Sequence, residues 1–244
     1  MLRIPRIGAA IASTFVLLLP AIWNRFPLLQ YDTGGYLVRW FEGYLVPSRS
    51  TVFGLFLNAF AFADFWPVVV IQAAATVWVL SLMLRAHDFD NIGFGGRPLV
   101  LLGVTAALSG LTTLPWLTSI LLTDIFAGLA VLAVHLLVFA DGTLRRFERI
   151  ALVALIAFAV ATHSASFAVA VALLAAAALA WWYLRIGSAS GIARGMAAVL
   201  GAAMLVSANY VVAGKLAWTP AYSSGAARAA CSTTSAASPG LATR

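Results

Sequence analysis

The sequence predicts an all-α polytopic membrane protein with about seven transmembrane helices and an interfacial helix in the first outer loop. Three observations carry that expectation. Of the 244 residues, 63% are hydrophobic and only 9% charged, with a mean hydropathy of +0.98, whereas a soluble domain is about 25% charged. The apolar residues fall in blocks close to the ~20 residues that cross a hydrocarbon core, separated by arginines. Trp23, Trp66, Trp116 and Trp218 fall at the predicted outer boundary and Trp181 and Trp182 at the inner one, as interfacial aromatic belts do. The formal charge of +7 does not point to nucleic acid, because 14 of the 15 basic residues are arginines scattered between apolar blocks, with no basic stripe. Cys231 alone makes no internal disulfide, and no Cys/His cluster has zinc-site spacing.

The first span is predicted over 7–23. Arg3 and Arg6 precede it and no small-residue cleavage site follows, so it is an uncleaved anchor with a cytoplasmic N-terminus. Residues 24 to 50 then form the first outer loop, where Leu37, Trp40, Phe41, Tyr44 and Leu45 make the stripe of a helix lying flat in the interface. Residues 51 to 84 carry one charge, Asp64, and as one helix would reach about 51 Å against a core of about 30 Å. A split at Asp64-Phe65-Trp66-Pro67 leaves an interfacial or re-entrant half and a span over 68–84.

Between Arg97 and the Arg145, Arg146, Arg149 cluster, an even number of crossings is required, giving spans over 98–112 and 122–140 with an outer turn at Thr112-Thr113-Leu114-Pro115-Trp116. The uncharged run from 150 to 184 repeats the pattern with spans over 150–162 and 167–184 that meet at Thr162-His163-Ser164. A last span, 195–212, exits outward. This topology puts nine Lys/Arg inside and six outside, a modest positive-inside bias. The transmembrane domain thus covers 1–219. In 220–244 the composition changes, with Ala, Ser and Thr supplying 16 of the last 24 residues. Such a stretch buries no core and is expected to be a disordered low-complexity tail, or else the out-of-frame end of a longer protein.

Ionisable groups near hydrocarbon are costly and usually functional, so the acids are the natural candidates. Asp88, Asp90, Asp141 and Glu148 fall in predicted cytoplasmic loops beside Arg or His and are expected to be solvated topology residues. Asp32, in Tyr31-Asp32-Thr33-Gly34-Gly35-Tyr36, lies directly before the interfacial helix. It is either an N-cap or a partly desolvated general base beside glycines that let a ligand approach, and the two roles can coexist. Asp124 is either the N-cap of the fourth span or an acid just below the outer interface, turned into the protein. His163 sits at an outer turn as a hydrogen-bonded turn residue or a ligand, and His135 is expected mid-span as a packing donor. Asp32, Asp124, His163, Arg25, Arg39 and Arg49 come from separate segments yet map to one face of the membrane, an arrangement suited to chemistry on a lipid phosphate.

With these residues in place the layout resembles the GT-C integral-membrane glycosyltransferases, which use polyprenyl-phosphate sugars. Tyr31-Asp32-Thr33-Gly34-Gly35-Tyr36 matches the acidic motif that opens their first outer loop. Pro47-Ser48-Arg49-Ser50-Thr51-Val52-Phe53-Gly54 loosely matches their Pro-containing stretch, and Thr123-Asp124 the second acid before the fourth span. The resemblance covers about residues 1 to 215. It implies transfer of a sugar from a polyprenyl-phosphate donor to an extracytoplasmic acceptor in a bacterial cytoplasmic membrane, with membrane lipid as the surroundings. Asp32 would be the catalytic base and Asp124 the second acid, orienting substrate or holding a divalent metal; no organic cofactor is expected. Arg25, Arg39, Arg49, His163 and Tyr36 would bind substrate. Family members usually carry more spans and an outer C-terminal region, and often a Lys where this chain has His163, so the chain also fits an inactive fragment. The alternative is a non-enzymatic multi-spanning protein, a transporter or an assembly subunit.

Overall fold

The computed structural model describes residues 6–41, 50–89 and 97–215. The described residues are helical, with no strand beyond an isolated bridge. Two helices, α1 (Arg6–Leu17) and α2 (Leu19–Asn24), precede the predicted interfacial helix α3 (Tyr31–Phe41). Then come α4 (Thr51–Asn58), α5 (Trp66–Ala86), α6 (Arg97–Leu111) and the short α7 (Leu114–Ser119). The chain finishes with α8 (Asp124–Phe139), α9 (Arg146–Thr162), α10 (Ser164–Leu184) and α11 (Ala189–Lys215).

Every predicted span holds a helix, and every predicted break is present. Asp64 and Phe65 take left-handed backbone angles (φ 50° and 61°), which ends the preceding turn, and Pro67 then sits in the first turn of α5, where its missing N–H costs nothing. Pro115 starts α7 in the same way. His163 is extended (φ −152°, ψ 130°) between α9 and α10, so the uncharged run divides where expected.

Three of the seven expected crossings are full-length helices among the described residues. Trp66–Ala86, Ser164–Leu184 and Ala189–Ser207 are long and apolar enough to cross a membrane, and by length and composition these are the spans of an integral membrane protein. α1, α6, α8 and α9 have 12, 15, 16 and 17 residues, a rise of only ~18–26 Å against a ~30 Å core. Their ends are completed by packed turns and by short helices such as α2 and α7. The interfacial helix also starts earlier than expected, at Tyr31 rather than near Leu37. Residues 42–45 of the expected stripe and the predicted tail over 220–244 lie outside the described residues.

α8 is the centre of the bundle and packs against α5, α9, α10 and α11, while α1 packs against α5, α6 and α7. Phe126, Leu129, Ala133, Leu136 and Leu137 of α8 are buried, as are Leu152 and Ile156 of α9. The outward faces of α10 and α11 are apolar instead of polar, with Trp182 65% and Met204 75% exposed, the surface a bilayer solvates and water does not.

One glycine sets the closest crossing. At Gly191 in the first turn of α11, a Cβ would come within 1.8 Å of the Leu137 carbonyl oxygen of α8, so backbone touches backbone. Gly191→Ala is expected to destabilise the bundle by about 3 kcal/mol, measured as equilibrium unfolding in detergent. Gly201→Ala, with nothing within 4 Å of its added carbon, is expected to change stability by less than about 0.5 kcal/mol.

Candidate functional site

The end of the bundle that carries Asp32 is built around broken helices whose backbone groups need partners. α1 stops at Leu17, and its carbonyl accepts hydrogen bonds from the hydroxyls of Thr118 (2.9 Å) and Ser119 (3.3 Å) in α7. After α2, the chain at Leu28 runs beside Ile120: the Leu28 N–H donates to the Ser119 carbonyl (2.8 Å), and the Leu121 N–H donates to the Leu28 carbonyl (3.0 Å). The irregular segment between α7 and α8 then offers two carbonyls to side chains. Thr33 Oγ1 donates to Leu121 (3.0 Å) and Gln72 Nε2 to Leu122 (2.9 Å). Non-helical backbone survives at membrane depth only when its polar groups are met within the protein.

Asp32 is the second residue of α3, not the residue before it, so the simple N-cap role is corrected. Thr33 does the capping instead: its Oγ1 accepts the Gln30 N–H (3.1 Å) while donating to Leu121. Asp32 is half-buried and stands in the first turn of α3, where the unpaired N–H groups and the helix dipole favour a negative charge. Asp124 is the first residue of α8 and is exposed. The expectation that it turns into the protein is therefore overturned; the buried residue there is Thr123, 1% exposed. The two acids nevertheless share one end, because Thr33, next to Asp32, bonds Leu121, three residues before Asp124.

Tyr36, expected to meet substrate, is 4% exposed and packs its ring against Phe53 of α4 at 5.0 Å and 80°. Phe53 meets Phe126 of α8 (6.3 Å), which meets Phe158 of α9 (4.9 Å). Tyr36 is thus part of the aromatic seam that fastens α3 and α4 to the bundle. Ser50 caps α4 and its hydroxyl donates to the Ala161 carbonyl (2.9 Å), which brings the start of α4 to the α9–α10 break where half-buried His163 lies. Arg25 ends α2 in a left-handed conformation (φ 61°) and is exposed. It lines an open, largely apolar groove of about 880 Å³ together with Ile22, Trp23, Leu28 and Trp116. Of Arg39 only the backbone is described, and Arg49 lies outside the described residues. Among the described residues, no group of three or more His, Cys, Asp or Glu gathers to hold a metal ion, at Asp124 or elsewhere.

The opposite end holds acids expected to be solvated. Glu148 is 4% exposed, not solvated. It accepts from both terminal nitrogens of Arg85 at the end of α5 (2.8 and 2.5 Å) and from the Arg145 N–H (2.7 Å). Asp141 pairs with Arg149 and with Arg194 of α11, each at 2.7 Å. These acids tie α5, α8, α9 and α11 together. Asp88 is exposed in a left-handed turn (φ 53°), as a solvated residue would be, and Asp90 lies outside the described residues. Two of these pairings join residues far apart in the chain, 63 positions for Arg85 and Glu148 and 53 for Arg194 and Asp141, so local sequence does not reveal them. The signal that was available is charge balance: each acid falls in a basic loop next to an apolar span.

In comparisons with known proteins, no family model matches this chain, and no curated protein or solved structure matches it either.

The Arg85 hydrogen bonds hold the Glu148 carboxyl below the ordinary carboxylate range, against an opposing effect of burial. A depressed native pKa means that the unfolded chain binds the proton more tightly. The pair therefore stabilises the fold above the ordinary value of 4.5, and the contribution is lost as pH falls through the lower native value. Glu148→Ala is expected to cost about 2–3 kcal/mol near pH 7, with the difference from the parent shrinking below pH 4.5, measured by unfolding in detergent across pH. Thr33→Val, which leaves the Leu121 carbonyl without its donor, is expected to cost about 1–2 kcal/mol in the same measurement.

Proposed function

We propose that the chain is a seven-pass, glycosyltransferase-like protein of a bacterial cytoplasmic membrane, with its N-terminus inside and its candidate site on the outer face. It would transfer a sugar from a polyprenyl-phosphate donor to an extracytoplasmic acceptor. The observation that carries this is the set of groups at one end of the bundle: two carboxylates in the first turns of α3 and α8, and a guanidinium, Arg25, on an apolar groove flanked by Trp23 and Trp116. Acid, cation and apolar groove together suit a substrate with a hydroxyl acceptor, an anionic leaving group and a hydrocarbon tail.

In that reaction Asp32 accepts the proton of the acceptor hydroxyl as its oxygen attacks the anomeric carbon. The bond from that carbon to the phosphate oxygen breaks, and the lipid phosphate departs with the electron pair. Arg25, with Arg39 and Arg49, supplies charge-assisted hydrogen bonds to the developing negative charge, and the polyprenyl tail remains in the bilayer along the groove. Asp124 orients the acceptor, and His163 lies at the same end to meet phosphate.

A non-enzymatic role as a transporter or assembly subunit has its own supporting observation: both acids occupy helix first turns, where a carboxylate stabilises the helix whether or not it does chemistry. Asp32→Asn separates the two. In membranes supplied with polyprenyl-phosphate sugars and hydroxyl acceptors, the variant is expected to insert normally and to lose sugar transfer by at least about a hundredfold, the scale of general-base catalysis. Equal transfer by parent and variant, or none by either over a broad panel, would carry the non-enzymatic role instead.

A further inference from the structure

We propose that His87 and His135 form a two-imidazole site for a divalent transition metal ion at the end of the bundle opposite Asp32. This site does not depend on the function proposed above. His87 directly follows α5, and His135 is on α8 one turn before Phe139. Their Nε2 atoms are 3.0 Å apart, with ring planes 30° apart. A neutral imidazole is a donor at one nitrogen and an acceptor at the other, so at this distance the two Nε2 atoms share one proton between them. Replacing that proton with a metal ion satisfies both nitrogens at once.

The separation fits such an ion once each ring tilts: with ring centroids 5.2 Å apart the two nitrogens face each other nearly head-on, and an ion bound to both stands about 1.4 Å off the line between them. With metal–nitrogen distances of about 2.0–2.1 Å, two nitrogens 3.0 Å apart subtend about 91–97° at the metal. That is the angle between adjacent ligands in the square-planar or octahedral arrangements of Cu²⁺ and Ni²⁺; opening by a few tenths of an ångström gives the tetrahedral angle of Zn²⁺. Phe139 lies 5.2 Å from the His135 ring and Phe89 6.5 Å from the His87 ring, limiting where the imidazoles can swing. His87 is exposed, so water can complete the coordination. Arg85, the nearest cation along the chain, is engaged with Glu148, which reduces its repulsion of an incoming ion. A metal here would fasten the end of α5 to α8, near the ion pair that joins α5 to α9.

The test uses the full chain, purified in detergent through a tag without histidine and loaded with one equivalent of Cu²⁺. The chain has three histidines, so background is low. Electron paramagnetic resonance is expected to show two imidazole nitrogens on the copper, and Zn²⁺ is expected to compete for the site and raise the thermal midpoint. His87→Gln and His135→Gln keep a hydrogen-bonding side chain, so each is expected to fold without metal yet to show at most one imidazole. Each is expected to bind Cu²⁺ about a hundredfold more weakly, since the second contact of a chelate acts at high effective concentration. His163→Gln, at the other end, is expected to match the parent. Fewer than two imidazoles in the parent, or an unchanged spectrum in either Gln variant at position 87 or 135, overturns the site and leaves the pair as a hydrogen-bonded helix contact.

Discussion

The structure depends on satisfying backbone polar groups where short helices break within apolar surroundings. An unpaired carbonyl there has no water to turn to and costs on the order of 1–3 kcal/mol. Leu17 ends α1, and Leu121 and Leu122 lie between α7 and α8; each carbonyl is met by a Thr, Ser or Gln side chain from another element. Because these donors come from α3, α5 and α7, the bonds also position the helices. The same contacts that permit irregular backbone place α3, and with it Asp32, over the start of α8.

The two ends of the bundle solve their electrostatics differently. At the end with Glu148 and Asp141, each carboxylate is paired with arginines from a different helix, so burial is compensated and the charges act as fasteners. At the end with Asp32 and Asp124, the acids stand at helix starts, where partial positive charge from free N–H groups steadies them. One end holds its helices together through ion pairs, the other through hydrogen bonds to the carbonyls of broken helices. The aromatic seam through Tyr36, Phe53, Phe126 and Phe158 joins the side-chain-to-carbonyl hydrogen bonds in holding α3 and α4 to the second end.

Much of the candidate site was legible as a set of positions and little of it as a set of contacts. That Asp32, Asp124, Arg25 and His163 share one end follows from counting crossings between arginines, and the alternation of the helices agrees with it. That Tyr36 is buried against Phe53, that Asp124 is turned outward, and that Thr33 caps α3 all depend on where neighbouring helices rotate about their axes. The hydrophobic pattern of a membrane helix is nearly uniform around its circumference, so it carries little information on rotation. Helix length divides in the same way: hydropathy marks the apolar block, while Thr, Ser and Pro decide how much of it is helix.

The sequence by itself determined the solvent of the protein, its helical class, the position of the long apolar helices and three of the places where helices break, at Phe65, Thr113 and His163. Those features are local: apolar block length, a proline in a first turn and the spacing of arginines act within a few residues. The tertiary structure alone decided which polar groups meet, such as Thr33 with Leu121, 88 positions apart, Arg85 with Glu148 and His87 with His135. Partners at that separation are chosen by packing around α8 and by the close crossing at Gly191, because a buried polar group is stable only where the folded chain brings it a partner.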